Sequence, residues 1–225
     1  MPADLWAITG FTLLAALAAT TVMLPPGIAL AWLLARKEFR GKAIVDTVAS
    51  LPLVMPPVAT GLILLYLLGR RSPVGRSLAA WDIEIVFTWK AVVLAMAVMG
   101  FPLLVRTVRT GFEQVRPRYE QLAATLGAGP WRIFFTITLP LAKRAVAAGA
   151  LLAFTRAVGE FGATILVAGS IPGRTRTLAL AIFSETEVGH DERAAALLAV
   201  AVVIAFAAVA ASNALIHRPP DDART

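Results

Sequence analysis

The sequence predicts an all-α, polytopic membrane protein with about five spans. Apolar residues make up 58% of the 225-residue chain and charged residues only 16%, well below the roughly 25% usual in soluble domains. The mean hydropathy is +0.76. The apolar residues also gather into runs of about 20 residues, the length a helix needs to cross a bilayer. The length suits one domain, which we take as residues 1–217, followed by a short tail over 218–225.

The elements follow in order. The opening run, roughly Leu5 to Leu34, has no Lys or Arg before Arg36. It is too long for a secretory leader and lacks the basic start of one, so it reads as a retained span near 8–35, kinked at Pro25-Pro26-Gly27. A second span lies near 43–68, with Pro56 and Pro57 inside it, and a third near 86–108. Pro117 and the charges before it end the third span. Residues 117–130 then suit a short, half-polar helix: Tyr119 to Leu126 favour helix, and Gly127 and Gly129 favour its end. A fourth span lies near 137–158, where Pro140 is tolerated in the first turn, and a fifth near 194–216. Between them, "GEFGATILVAGSIPGRTRTLALAIF" (Gly159 to Phe183) is apolar but broken by Gly and Pro. The whole stretch from Gly159 to Arg193 reads as a re-entrant segment or as a short extra span pair; one full further span would bring the count to six. Irregular backbone at membrane depth survives only where it is buried in protein or lines a wet cavity.

Charge sets the expected orientation. Arg36, Lys37, Arg40 and Lys42 fall in the first loop. Arg106, Arg109, Arg116, Arg118, Arg132, Lys143 and Arg144 surround the loop after the third span. Basic loops stay cytoplasmic, so the N-terminus is expected outside and the C-terminus inside. The same rule accounts for the net charge of +7 without nucleic acid. Absence of cysteine removes thiolate chemistry, and His190 and His217 are too far apart in sequence to suggest a ligand cluster. "GRRSPVGRS" (Gly69 to Ser77) has five residues between its glycines and an arginine where a phosphate loop needs lysine. No catalytic constellation stands out, so the chain reads as a non-enzyme. Trp6, Trp81, Trp89 and Trp131 lie near span ends, where aromatic belts form, and membrane lipid is the expected surround.

Several residues invite a role. Arg156 and Glu160 are i,i+4 on one face, and ionisable groups in a span point to function by default. They read first as a mutual salt bridge fixing a helix end; a second reading places Arg156 beside an anion path. Pro56-Pro57 read as a plain kink or as a gate, and Thr60, one turn on, offers a hydroxyl. Thr164 joins these as a candidate lining residue. Asp46 reads as complementing the start of the second span. "SIPGRTRT" (Ser170 to Thr177) carries two arginines and three hydroxyls, fit for an anion, for a partner, or for a solvated turn.

The segment from Glu120 to Pro140 carries a resemblance. Gln121-Leu122-Ala123, Gly127, Ile137, Leu139 and Pro140 match the spacing EAA-x3-G-x9-I-x-L-P of ABC importer permeases, with Gln-Leu-Ala in place of Glu-Ala-Ala and Glu120 one residue early. The chain resembles that family along nearly its whole length. "PPGIALAWLLARKEFRGKAIVD", "LPLVMPPVATG" and "WRIFFTITLPL" look most like molybdate permeases. Sulfate permeases tend to GEYGS where this chain has GEFGA (Gly159 to Ala163), and tungstate permeases are near relatives. The resemblance implies a type I ABC importer permease that works as a homodimer, with 117–130 as the coupling helix docking on an ATPase. It implies two ATP-binding subunits inside, which use ATP and Mg, and one periplasmic molybdate-binding protein outside. It implies no cofactor on this chain, and transport by alternating access. The rival from another class is a passive anion channel.

Overall fold

A computed structural model describes residues 2–216, with side chains over 4–211; the expected tail and His217 lie outside the described residues. Every regular element in this range is helical. The first, α1, runs unbroken from Pro2 to Arg36 through Pro25 and Pro26. The second expected span is two helices, α2 (Lys42–Val54) and α3 (Pro57–Leu68), bent by 114°. The cause is local: neither Pro56 nor Pro57 has an N–H to give to the turn before it, and Met55 and Pro56 are extended, with ψ of 145° and 132°. A short α4 (Pro73–Ala80) starts at Ser72, whose hydroxyl accepts from the Gly75 N–H at 2.8 Å. This is where "GRRSPVGRS" lies, as a capped helix start.

The third span is α5 (Trp89–Gln114). It is followed by α6 (Pro117–Thr125) and α7 (Pro130–Ile133), a single π turn over Phe134–Thr138, and α8 (Leu139–Leu141). Then comes α9 (Lys143–Val158), set at 71° to the preceding arm. The fourth span was expected to run through Pro140 from 137. Instead Pro140 lies on the short arm before the bend. It has no N–H for the Thr136 carbonyl, the Leu139 N–H reaches back to Phe134 O in a π register, and α9 starts only at Lys143. After it come α10 (Gly162–Val167), α11 (Leu178–Val188) and α12 (Asp191–Ile216). With six and eleven residues, α10 and α11 are each too short to cross a bilayer. Three helices are long and apolar enough to span, and each bent pair counts as one more, up to five.

The core is built around α5, which packs against α1 on one side and α9 on the other. Its Val92, Met96, Leu104, Val108 and Phe112 are fully buried. Hydrocarbon supplies no hydrophobic drive between helices, so close backbone approach at small residues does much of the holding. Gly149 lies where a Cβ would be 3.3 Å from Leu104 O, and a Cβ on Gly100 would be 3.0 Å from Ala153 O. A smaller apolar cluster joins α11 to α12 through Leu178, Ala181 and Leu197. The start of α11 is fixed to α1 by a buried bond from the Leu178 N–H to Thr12 Oγ1 at 2.8 Å. The outer face of α12, with Val202, Val203 and Phe206, is exposed.

Candidate functional site

Two places gather the residues singled out from sequence. The first is the segment carrying the spaced motif. Helix α6 buries none of its residues. Its end is a Schellman closure: the Gly127 N–H bonds Ala124 O at 3.0 Å and the Ala128 N–H bonds Ala123 O at 3.0 Å. Gly127 has φ of +81°, and a Cβ there would meet nothing within 4 Å. Glycine is required by the backbone, therefore, and not by crowding. That gives the x3-G spacing a physical meaning: Ala123 supplies the carbonyl that the turn after Gly127 closes on. Gln121, Leu122 and Leu126 face outward with Tyr119, Leu126 being 87% exposed. Ile137 and Leu139 are half-buried at the π turn, Leu139 against the main core, while Pro140 is exposed. Phe134, in the same turn, wedges between Trp32 of α1 and Phe112 of α5, with ring centroids 5.6 and 6.1 Å away.

Glu120 is turned the other way. Its Oε1 accepts from Arg36 Nε at 3.1 Å and from Thr138 Oγ1 at 2.7 Å, and lies 3.0 Å from Arg36 Nη2 in the ion pair. Nη2 of Arg36 also donates to the carbonyl of Val115, the buried C-cap residue of α5, at 2.8 Å. Sequence reasoning noted Glu120 only as out of register with the motif. The available signal was the first charge after a long apolar run, Arg36, and an acid in the next loop predicted on the same side.

The second place is the break between α2 and α3. The turn after α9 packs against it so closely that a Cβ on Gly162 would lie 2.8 Å from Pro57 Cβ, and one on Gly61 2.6 Å from Ala163 O. Thr60, Glu160 and Thr164 are thereby gathered at one wedge, with Pro56 and Pro57 exposed at its rim. Arg156 joins through its ion pair: Nη1 is 2.7 Å from Glu160 Oε2. The other Glu160 oxygen accepts the Ala163 N–H at 2.7 Å, near the start of α10. The Glu160 side chain is 1% exposed and that of Arg156 27%, so the acid is enclosed and the base reaches out. Among the described residues, the buried hydroxyls of Thr60 and Thr164 have no hydrogen-bond partner, an uncommon state for a buried donor.

One expectation needs correcting. Asp46 does not serve the start of its helix: Arg109 of α5 holds it at 2.9 Å, beside a second rung from Arg106 to Ser50 Oγ at 3.1 Å. Two basic residues at the inner end of the third span and an acid at the inner start of the second were enough to suggest this pairing. In "SIPGRTRT" the hydroxyls of Thr175 and Thr177 are spent within the fold, accepting from the Ile171 and Leu180 N–H groups at 3.0 and 3.4 Å.

Residues 27–218 match the family described as binding-protein-dependent transport system inner membrane component. The chain belongs to this family. As an inner-membrane transport component it is 49% identical over 185 residues, 81% of each chain, to the Molybdenum transport system permease protein ModB of Escherichia coli (strain K12). It is 45% identical over 197 residues to the ModB of Haemophilus influenzae, covering 87% of this chain and 86% of that one. A Sulfate transport system permease protein CysT of Escherichia coli is 36% identical over 207 residues, 92% of this chain and 75% of that one. Among solved structures, this transport component has the fold of a chain in the MetNI methionine ABC transporter (TM-score 0.68, 14% identity, 96% and 94% covered). It also has that of a chain in a bacterial alginate ABC transporter (TM-score 0.72, 17% identity, 94% and 78% covered). Both share the type I importer arrangement.

Proposed function

We propose that this chain is the membrane-spanning permease of an ATP-driven importer of molybdate. The observation that carries the reading is α6: a helix with no buried residue, ended by a left-handed Gly127 and presenting Tyr119, Leu122 and Leu126 outward, in a chain 49% identical to a molybdenum permease. An amphipathic helix presented this way is the form that docks in a partner's groove. The partners are two ATP-binding subunits at the α6 end, a second copy of this chain, and a periplasmic molybdate-binding protein at the other end. ATP and Mg belong to the ATP-binding subunits, and this chain carries no cofactor. The anion path runs beside the closely packed α3–α10 wedge, whose buried, unpartnered Thr60 and Thr164 hydroxyls can donate to an oxyanion only when the wedge opens during transport; Pro56 and Pro57 form the gate.

Reconstituting the complete transporter in vesicles and comparing molybdate, tungstate and sulfate uptake tests this reading. Uptake should be ATP-dependent and favour molybdate. Uptake without ATP would replace the permease by a channel, and a preference for sulfate would replace the substrate. Leu126→Glu, at a side chain that supports no packing, should reduce co-purification of the ATP-binding subunit roughly tenfold or more, as loss of an apolar anchor does. For orientation, cysteines at Lys42 and Arg116 should react with an impermeant thiol reagent only from the cytoplasmic side, and one at Ser77 only from outside. Periplasmic labelling at Arg116 would reverse the topology.

A further inference from the structure

The last turns of α1 hold the coupling segment twice. Trp32 meets Phe134 edge to face at 5.6 Å, and one turn on, Arg36 Nε donates to Glu120 at 3.1 Å while Nη2, 3.0 Å from the same oxygen, donates to Val115 O. Residues 32 and 36 are i,i+4 and share a face, so both contacts come from one side of one helix. Glu120 closes the set by accepting from Thr138 at 2.7 Å, on a side chain 1% exposed within the π turn. Helix α6 itself packs against α7 and that π turn and buries nothing, so packing alone holds it weakly to the bundle. A charge-assisted bond from Arg36 Nε to Glu120, between side chains 14% and 21% exposed, is directional and poorly screened. It ties the side chain of a residue in α6 directly to a transmembrane helix, α1.

We infer that Arg36, Glu120 and Thr138 form the joint through which displacement of α6 is passed to α1, so that Glu120 is a positioning residue for transport and not a contact for the ATP-binding subunit. This rests on the coupling role proposed above. It also explains the register: a carboxylate at 120 faces the bundle, while position 121, where the motif has its acid, is an exposed Gln121. A rigid element with two possible positions is what a coupled change requires. An α6 that rocks without carrying α1 would let ATP be hydrolysed without matching movement of the pathway.

The test uses the complete transporter in vesicles and reads molybdate taken up per ATP hydrolysed, alongside the amount of ATP-binding subunit that co-purifies. For Glu120→Ala we expect co-purification unchanged, hydrolysis retained, and uptake per ATP reduced about fivefold or more, the usual size of a lost coupling. Thr138→Val, which leaves the ion pair in place, should lower the ratio about twofold. Arg36→Lys keeps the charge but not the fork and should fall between them. An unchanged ratio in Glu120→Ala would overturn the inference, as would loss of the ATP-binding subunit from that variant. Should Glu120→Ala not fold, the pair Arg36→Met with Glu120→Met leaves neither charge orphaned. Normal yield with low uptake per ATP supports the joint, and normal yield with full coupling overturns it. A wild-type chain that fails to bind the ATP-binding subunit would instead sink the permease reading itself.

Discussion

Arg156→Met should leave the protein poorly folded, and adding Glu160→Met should restore it. The single change strands a carboxylate that is 1% exposed, retaining one backbone N–H from Ala163. Breaking a buried pair by removing one partner costs roughly 3–5 kcal/mol. The reverse single change is expected to be milder in charge terms, because Arg156 is 27% exposed and can turn toward water or headgroups. It also loses the bond at the start of α10, worth about 1 kcal/mol. Thermal denaturation in detergent should therefore rank the double variant nearest wild type, then Glu160→Met, then Arg156→Met. Molybdate uptake per folded complex decides what remains. If Arg156 only neutralises Glu160, the double variant transports normally; if its exposed edge steadies a passing dianion, the double variant folds but transports poorly. The enclosure of Glu160, with both oxygens bonded, favours the first outcome.

Gly61→Val should also be severe, through crowding. The first added carbon would sit 2.6 Å from Ala163 O, 2.7 Å from Ala163 Cα and 3.0 Å from Leu166 Cβ. Two of these are backbone atoms that no rotamer change can move, so α3 and α10 must separate. Overpacking of this kind costs about 1–3 kcal/mol, and here it opens the wedge between Pro57 and Glu160. Lower melting together with loss of uptake is the expected result. Gly10→Ala is the control, since a Cβ there meets nothing within 4 Å; stability equal to wild type or about 0.5–1 kcal/mol higher is expected. Equal melting of Gly61→Val and Gly10→Ala would refute the close packing of α3 on α10.

The spans were legible because bilayer crossing needs only length and apolarity, both of which can be read along one dimension. The end of α6 was legible at Gly127, since a left-handed position calls for glycine whatever surrounds it. Breaks within spans were harder. Pro56-Pro57 announced one, but Pro25-Pro26 are as conspicuous and lie inside a continuous α1. Pro140 was expected to begin a span and lies before the bend, because proline restricts the turn before it without saying where the next helix starts. Long-range pairs were the least visible. Glu120 with Arg36, and Asp46 with Arg109, are 84 and 63 residues apart, and only the packing of α1 and α2 on α5 brings them together.

The length of α1 carries a last consequence. Asp4 to Arg36 is 33 residues, about 48 Å of helix at 1.5 Å per residue. A bilayer with its headgroup layers measures about 40–45 Å, and its hydrocarbon about 30 Å. For both charged ends to reach headgroups, α1 must lean about 20–34° from the normal, within the range common for spanning helices. Lipids with longer or shorter acyl chains would have to change that lean or strain an end. The end facing α6 is Arg36, already committed to Glu120 and Val115. Membrane thickness thus enters the geometry of the coupling segment directly, and acyl-chain length becomes a variable that the efficiency of ATP use should register.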